Sequence, residues 1–173
     1  WWENDGSESF TKRTITSNSD QPRSVFAIDV DGDGDIDILS AYFADDTIAW
    51  WENDGSESFT EHTITTTTNG ALAVFAIDID GDGDIDILSA AFTDDTFSWW
   101  ENNGSESFTE HVLTSNADGA SIIYPVDIDG DGDIDIVTGS YNDNTVSWWE
   151  NDGSESFTEH IISSSINSVS SIF

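Results

Sequence analysis

An all-β fold made of repeated four-stranded antiparallel blades follows from three features of this 173-residue sequence. Trp-Trp-Glu-Asn occurs at 1, 50, 99 and 148, so the chain repeats every 49 residues. Each period holds four short runs rich in Ile, Val, Phe, Trp and Thr, separated by Asp, Asn and Gly. Within each period two Trp are adjacent, and on a strand adjacent side chains point to opposite faces. Both faces of that strand therefore need apolar cover, which a stack of similar sheets supplies.

In the unit that starts near residue 24, Val25 to Val30 is the first predicted strand and an Asp-rich turn follows it. Ile36 to Tyr42 is the second strand, and Asp45-Asp46 marks the next turn. Thr47 to Glu52 is the third, carrying the Trp pair. Asn53-Asp54-Gly55 is a hairpin signal, because these residues tolerate the positive φ of tight turns. Phe59 to Thr65 is the fourth. Nothing reads as a helix of useful length.

A four-stranded unit with a period of 40 to 50 residues is the blade of a β-propeller. A solenoid of stacked hairpins is the alternative. The predicted organisation is a half blade over 1–17, blades over 24–66, 73–115 and 122–164, and the start of another over 168–173. That makes about three and a half blades in one repeat region. An open stack leaves apolar faces bare at its ends. A second copy completing a seven-bladed ring, a larger assembly, or further blades of a longer chain would each resolve this. The sequence has no Met and opens inside a repeat unit, which reads as a processed or partial product.

The charge is extreme, with 36 acidic residues against 3 basic ones and a formal net charge of -33. Nucleic acid is excluded as an expected partner, because phosphate binding needs clustered Lys and Arg. An anionic membrane surface is disfavoured on the same ground, and no apolar run is long enough to span a bilayer. Cations are the natural partners, although an acidic surface also suits high salt. There is no Cys, hence no disulfide framework or thiol chemistry. Hydrophobic residues at 36%, with eight Trp and ten Phe, are enough for a core and exclude a disordered acidic tail.

The acidic residues concentrate in three loops of pattern D-x-D-G-D-G-D-x-D. They are Asp29, Asp31, Asp33, Asp35 and Asp37; Asp78, Asp80, Asp82, Asp84 and Asp86; and Asp127, Asp129, Asp131, Asp133 and Asp135. Close carboxylate pairs cost up to about 4 kcal/mol each at an effective dielectric near 20. A hard divalent cation neutralises them. Calcium takes six to eight oxygens at flexible geometry, whereas magnesium demands a tight octahedron and zinc prefers His or Cys. Positions 1, 3, 5 and 9 are expected to bind through side chains. Position 7 offers its backbone carbonyl, by analogy with the EF-hand loop. An EF-hand itself is excluded, since position 12 is Ser40, Ser89 or Thr138 instead of Glu and the flanks are β-patterned. Three calcium sites result.

These loops, each followed by Ile-Asp-Ile within a 49-residue unit, resemble the FG-GAP/VCBS family of calcium-binding propeller repeats, as in integrin α-subunit heads and many bacterial surface proteins. The resemblance covers essentially the whole chain. It implies a propeller, commonly seven-bladed, with calcium in the hairpin between the first two strands of a blade. The literal Phe-Gly and Gly-Ala-Pro words are absent, so the VCBS side is the nearer match.

The Trp pairs are read as blade core, with sugar stacking as the alternative. Tyr42, Phe92 and Tyr141, near the ends of the second strands, are read as equivalent core positions. His62, His111 and His160 are assigned to an exposed edge strand, since Lys12-Arg13 replaces Glu-His in the first copy. Thr65 to Thr68 and Ser163 to Ser165 are polar links, and Asn103-Gly104-Ser105 is a lone glycosylation sequon.

The expected function is a calcium-stabilised extracellular module for binding or adhesion at a cell surface, with a glycan or a surface protein as partner. A structural repeat protein forming a fibre or layer is the alternative. No Ser-His-Asp set, nucleophilic Cys or phosphate loop points to an enzyme. An accessory part of a larger enzyme is the third reading.

Overall fold

The computed structural model describes residues 1–167, 169 and 171. The expected start of another blade over 168–173 lies mostly outside the described residues. Fourteen strands and no helix are present among them. A two-stranded sheet pairs β1 (Trp2–Asn4) with β2 (Phe10–Lys12). Blade one orders β3 (Pro22–Ile28), β4 (Asp37–Tyr42), β5 (Thr47–Asn53) and β6 (Phe59–Thr65) side by side. Blade two does the same with β7 (Ala71–Ile77), β8 (Asp86–Ala91), β9 (Thr96–Asn102) and β10 (Phe108–Thr114). Blade three follows with β11 (Ala120–Val126), β12 (Asp135–Ser140), β13 (Thr145–Asn151) and β14 (Phe157–Ser163). All neighbours are antiparallel.

Trp50 sits opposite Leu39 and His62, and Trp51 opposite Ile38 and Glu61. The adjacent Trp thus serve two different interfaces. Leu39, Ile48 and Trp50 of blade one form one core with Val74, Ile87 and Trp100 of blade two. Leu88, Phe97 and Trp99 of blade two form the next with Ile123, Ile136 and Trp149 of blade three. The first Trp of each pair faces the following blade and the second faces the preceding one. Successive first strands also pack together, with Phe26, Phe75 and Tyr124 in an aromatic row at ring separations of 4.2 and 5.5 Å.

Four details depart from the sequence reading. The first strand starts at Pro22 and ends at Ile28, leaving Val30 buried beyond its end. The chain can begin the strand early because a bulge between Pro22 and Ser24 absorbs the irregular pairing. Phe92 and Tyr141 correspond to Phe43, not to Tyr42. These three line up across the blades at 6.3 and 6.5 Å, and Tyr141 is 44% exposed. Tyr42 is instead buried, bridging Ser40 and the Trp51 indole through its hydroxyl. The three His do lie on edge strands, but none stands free in solvent. Each ring stacks on the Trp opposite it, at 4.5, 4.4 and 4.7 Å, and meets a Glu through Nε2. Trp1 and Trp2 are exposed, because the two-stranded sheet lacks the layers that bury the later pairs.

Candidate metal centres

Each Asp loop joins the first strand of a blade to the second. In blade one, Asp29 Oδ1 accepts from the Gly32 N–H at 2.8 Å and Oδ2 from Gly34 at 3.0 Å. Asp31 accepts from the Asp33 N–H, and Asp33 from the Asp35 N–H. The same bonds recur in loops two and three. Gly32 and Gly34 adopt φ of 77° and 98°, the left-handed region that lets the chain wrap around its own carboxylates. Asp31 and Asp33 each use one oxygen internally and keep the other.

Carboxylate oxygens of each loop converge. Asp29, Asp31 and Asp33 in the first loop place ligand atoms within 4.8 Å of one another. Asp78, Asp80 and Asp86 do so in the second, and Asp127, Asp129 and Asp135 in the third. Desolvation and, further, repulsion from neighbouring carboxylates hold Asp31, Asp80 and Asp129 above the usual carboxylate range. Asp37, Asp82 and Asp131 lie outside these triads. Asp35, Asp84 and Asp133 have another position. Each side chain lies against the glycine of the next hairpin, Gly55, Gly104 or Gly153, where a Cβ would meet the carboxylate at 2.4–2.5 Å. The backbone carbonyl is then the group that position 7 can offer to an ion.

Position 9 is a clamp. Asp37, Asp86 and Asp135 are completely buried. Asp86 Oδ2 accepts from the Ile79 N–H at 3.0 Å and Oδ1 from the Asn102 N–H at 2.8 Å, tying the loop to the third strand. Burial pushes its carboxyl up to about 7, against the pull of those two bonds. The sequence reading missed the Asn partners. Asn53, Asn102 and Asn151 each donate a side-chain N–H to the carbonyl of the residue just before the loop's final Asp, namely Ile36, Ile85 and Ile134. Asn151 also reaches Ile79 of the preceding blade. The signal was present as the recurring Asn of Trp-Trp-Glu-Asn.

The sequence profile of the FG-GAP-like repeat matches residues 1–40, 29–89, 78–138 and 127–173. The chain belongs to the FG-GAP-like repeat family. A search of curated proteins finds no match. Among solved structures 25 chains match, one of them an Agrocybe aegerita lectin described for specific recognition of non-reducing terminal N-acetylglucosamine. Identity to that lectin is 19% and the TM-score is 0.64, which establishes a common fold. The match covers 96% of this chain and 47% of the lectin chain, so this FG-GAP chain spans about half of its relative's length.

The donor set fits a hard cation. Every candidate ligand atom is oxygen, the glycines let the loop wrap, and no Cys or His lies in it. Two predictions arise here. Gly104→Ala and Gly81→Ala both place a side chain at φ of 70–79°, costing roughly 1 kcal/mol each. Only Gly104→Ala drives into Asp84, since Gly81 has open space around it. Calcium titration should therefore show weakened binding in Gly104→Ala and near-normal binding in Gly81→Ala. The second concerns pH. The folded-state pKa of Asp86, about 7, lies above its unfolded value of about 3.9. The unfolded chain releases that proton first, so the stability of calcium-free protein should fall as pH rises from about 4 to 7, then level off. In calcium the trend should reverse, because protons and the ion compete for the same oxygens. Melting curves across this range, with and without the ion, check both signs.

Proposed function

We propose that this chain is a calcium-rigidified carbohydrate-binding module that works outside the cell, at a surface. One observation carries the calcium half: in every blade, carboxylates of the loop bring their ligand atoms within 4.8 Å of one another. Such an array is strongly self-repulsive without a cation and strongly attractive to one. The carbohydrate half is supported by the shared fold with a lectin that recognises terminal N-acetylglucosamine. Extracellular calcium-binding modules operate at roughly 0.1–1 mM ion, a supply available outside the cell. The acidic residues recur identically from blade to blade and are committed to loops, which suits binding and not catalysis.

A second reading, assembly into a fibre or layer, is favoured by large apolar side chains at the two ends of the stack. Trp2 is 64% exposed at one end and Ile162 is 57% exposed at the other. A glycan array probed in calcium and in chelator, alongside light scattering, separates the two readings. Calcium-dependent binding to defined glycans by a species of fixed mass supports the lectin-like role. Polymer formation in calcium with no glycan retained supports the structural one and overturns the first.

A further inference from the structure

We propose that clefts between consecutive blades, at the end of the fold opposite the Asp loops, each seat one neutral sugar residue, with an outer-strand glutamate as acceptor for its hydroxyls. The inference rests on the carbohydrate-binding reading above and gives it a site.

The antiparallel order of each blade puts the Asp loop and the Asn-Asp-Gly hairpin at one end, and the second turn and the inter-blade link at the other. At that second end the same cleft is built twice. In blade two Thr68, Ser89, Asp94, Thr96, Ser98 and Glu110 line a cavity of about 360 Å³. In blade one Thr16, Tyr42, Asp45, Thr47, Trp51 and Glu61 line one of about 340 Å³. Asp45, Thr47 and Glu61 become Asp94, Thr96 and Glu110 on adding 49, so the repeat itself carries the cleft. Both volumes fall within the range of small-molecule sites, which starts near 300 Å³.

The lining selects the ligand. Ser98 Oγ donates to Glu110 Oε1 at 2.8 Å, which orients the carboxylate and leaves Oε2 for a ligand donor. Blade three repeats this pair as Ser147 and Glu159 at 2.8 Å. Thr47 and Thr96 spend their hydroxyl protons on the carbonyls of Asp45 and Asp94, at 2.7 and 2.9 Å, so their oxygens remain as acceptors. Asp45 and Asp94 are themselves fixed by backbone N–H groups of the links, at 2.7 and 2.8 Å. In blade two the result is an oriented set of acceptors, which suits a molecule rich in adjacent hydroxyls, whereas in blade one Ala49 replaces Ser98 and only Asp45 and Thr47 are held in this way.

Two other ligand classes fit poorly. Among the described residues, the groups of three or more acidic side chains close enough to share an ion all lie in the Asp loops, and neither Asp94 nor Glu110 belongs to one. An anion would meet both the cleft carboxylates and a chain of net charge -33. Apolar side chains also line each cleft. Blade one provides Tyr42 and Trp51, held together by the Trp51 indole N–H to the Tyr42 hydroxyl at 2.8 Å. Blade two has Ala91 in place of Tyr42, and adds Val112, which is 55% exposed. Tyr42 and Trp51 are only 4% and 8% exposed, so Val112 is the accessible apolar contact, and with Glu110 held by Ser98 the blade-two cleft should bind more tightly.

The test is a two-dimensional NMR titration of the calcium-loaded chain with N-acetylglucosamine, galactose, mannose and fucose, and with N-acetylneuraminic acid as the anionic probe. Glu61→Ala, Glu110→Ala and the double variant alter exposed positions and should fold normally. The expected result is saturable binding of at least one neutral sugar, with shifts at Thr47 and Thr96 and none in the Asp loops. Loss of a charged acceptor should weaken the altered cleft about tenfold or more. N-acetylneuraminic acid should bind at least about tenfold more weakly than the preferred neutral sugar, by the same conversion. A neutral sugar retained within twofold by the double variant would overturn the cleft assignment and leave the carbohydrate reading standing. Failure of every neutral sugar to bind the unaltered chain would overturn both. Equal binding of N-acetylneuraminic acid would overturn the neutral-ligand claim.

Discussion

Removing calcium is expected to lower the melting temperature of this chain by roughly 15–30 °C. An ion that binds only the folded state contributes about 2.7 kcal/mol at 100 times its dissociation constant, and three loops give about 8 kcal/mol. For a domain of this size each kcal/mol moves the midpoint by roughly 2–4 °C. The physical origin is local. Asp29, Asp31 and Asp33 in the first loop, Asp78, Asp80 and Asp86 in the second, and Asp127, Asp129 and Asp135 in the third hold their oxygens together only against mutual repulsion. The clamp residues Asp37, Asp86 and Asp135 transmit the consequence, because each ties its loop to the third strand of the blade. A melt in calcium-free buffer within about 3 °C of that in millimolar calcium would count heavily against the ion.

Trp99→Ala is expected to cost about 3–5 kcal/mol, among the largest losses any single substitution here can produce. Trp99 is only 1% exposed, stacks on His111 at 4.4 Å and approaches Phe157 of the next blade at 6.5 Å. It shares its core with Ile123, Ile136 and Trp149, so its removal opens a cavity between two blades as well as within one. Trp2→Ala makes the same chemical change at the same repeat position as Trp100, yet Trp2 is 64% exposed. Its effect should stay within about 0.5 kcal/mol. Denaturant unfolding of the two variants side by side measures the contrast. Equal losses would mean that the stacked arrangement of blades is wrong.

The blade itself was readable because its signals are local. The fourth strand runs over Phe59–Thr65 as the sequence predicts, since Asn53-Asp54-Gly55 fixes one end and alternation fixes the rest. The adjacent Trp required two covered faces, and the structure supplies them. The Asp loops were equally plain, being five acids at fixed spacing. What escaped depends on neighbours remote in sequence. Nothing near Asn151 reveals that its amide reaches Ile79, 72 residues away. The aromatic row of Phe43, Phe92 and Tyr141 was obscured by Tyr42, one residue away and on the opposite face. The inter-blade clefts escaped for the same reason. Thr68 belongs to the link and Glu110 to an outer strand, and only the stacking of sheets brings them to one wall.

The most direct test of the account is a count of bound ions. Native mass spectrometry of the chain in calcium should show three ions per chain, one for each Asp loop. Asp80→Ala should remove one of them and leave the other two. A chain that carries no ion, or an ion count that Asp80→Ala leaves unchanged, would contradict the assignment of calcium to these loops.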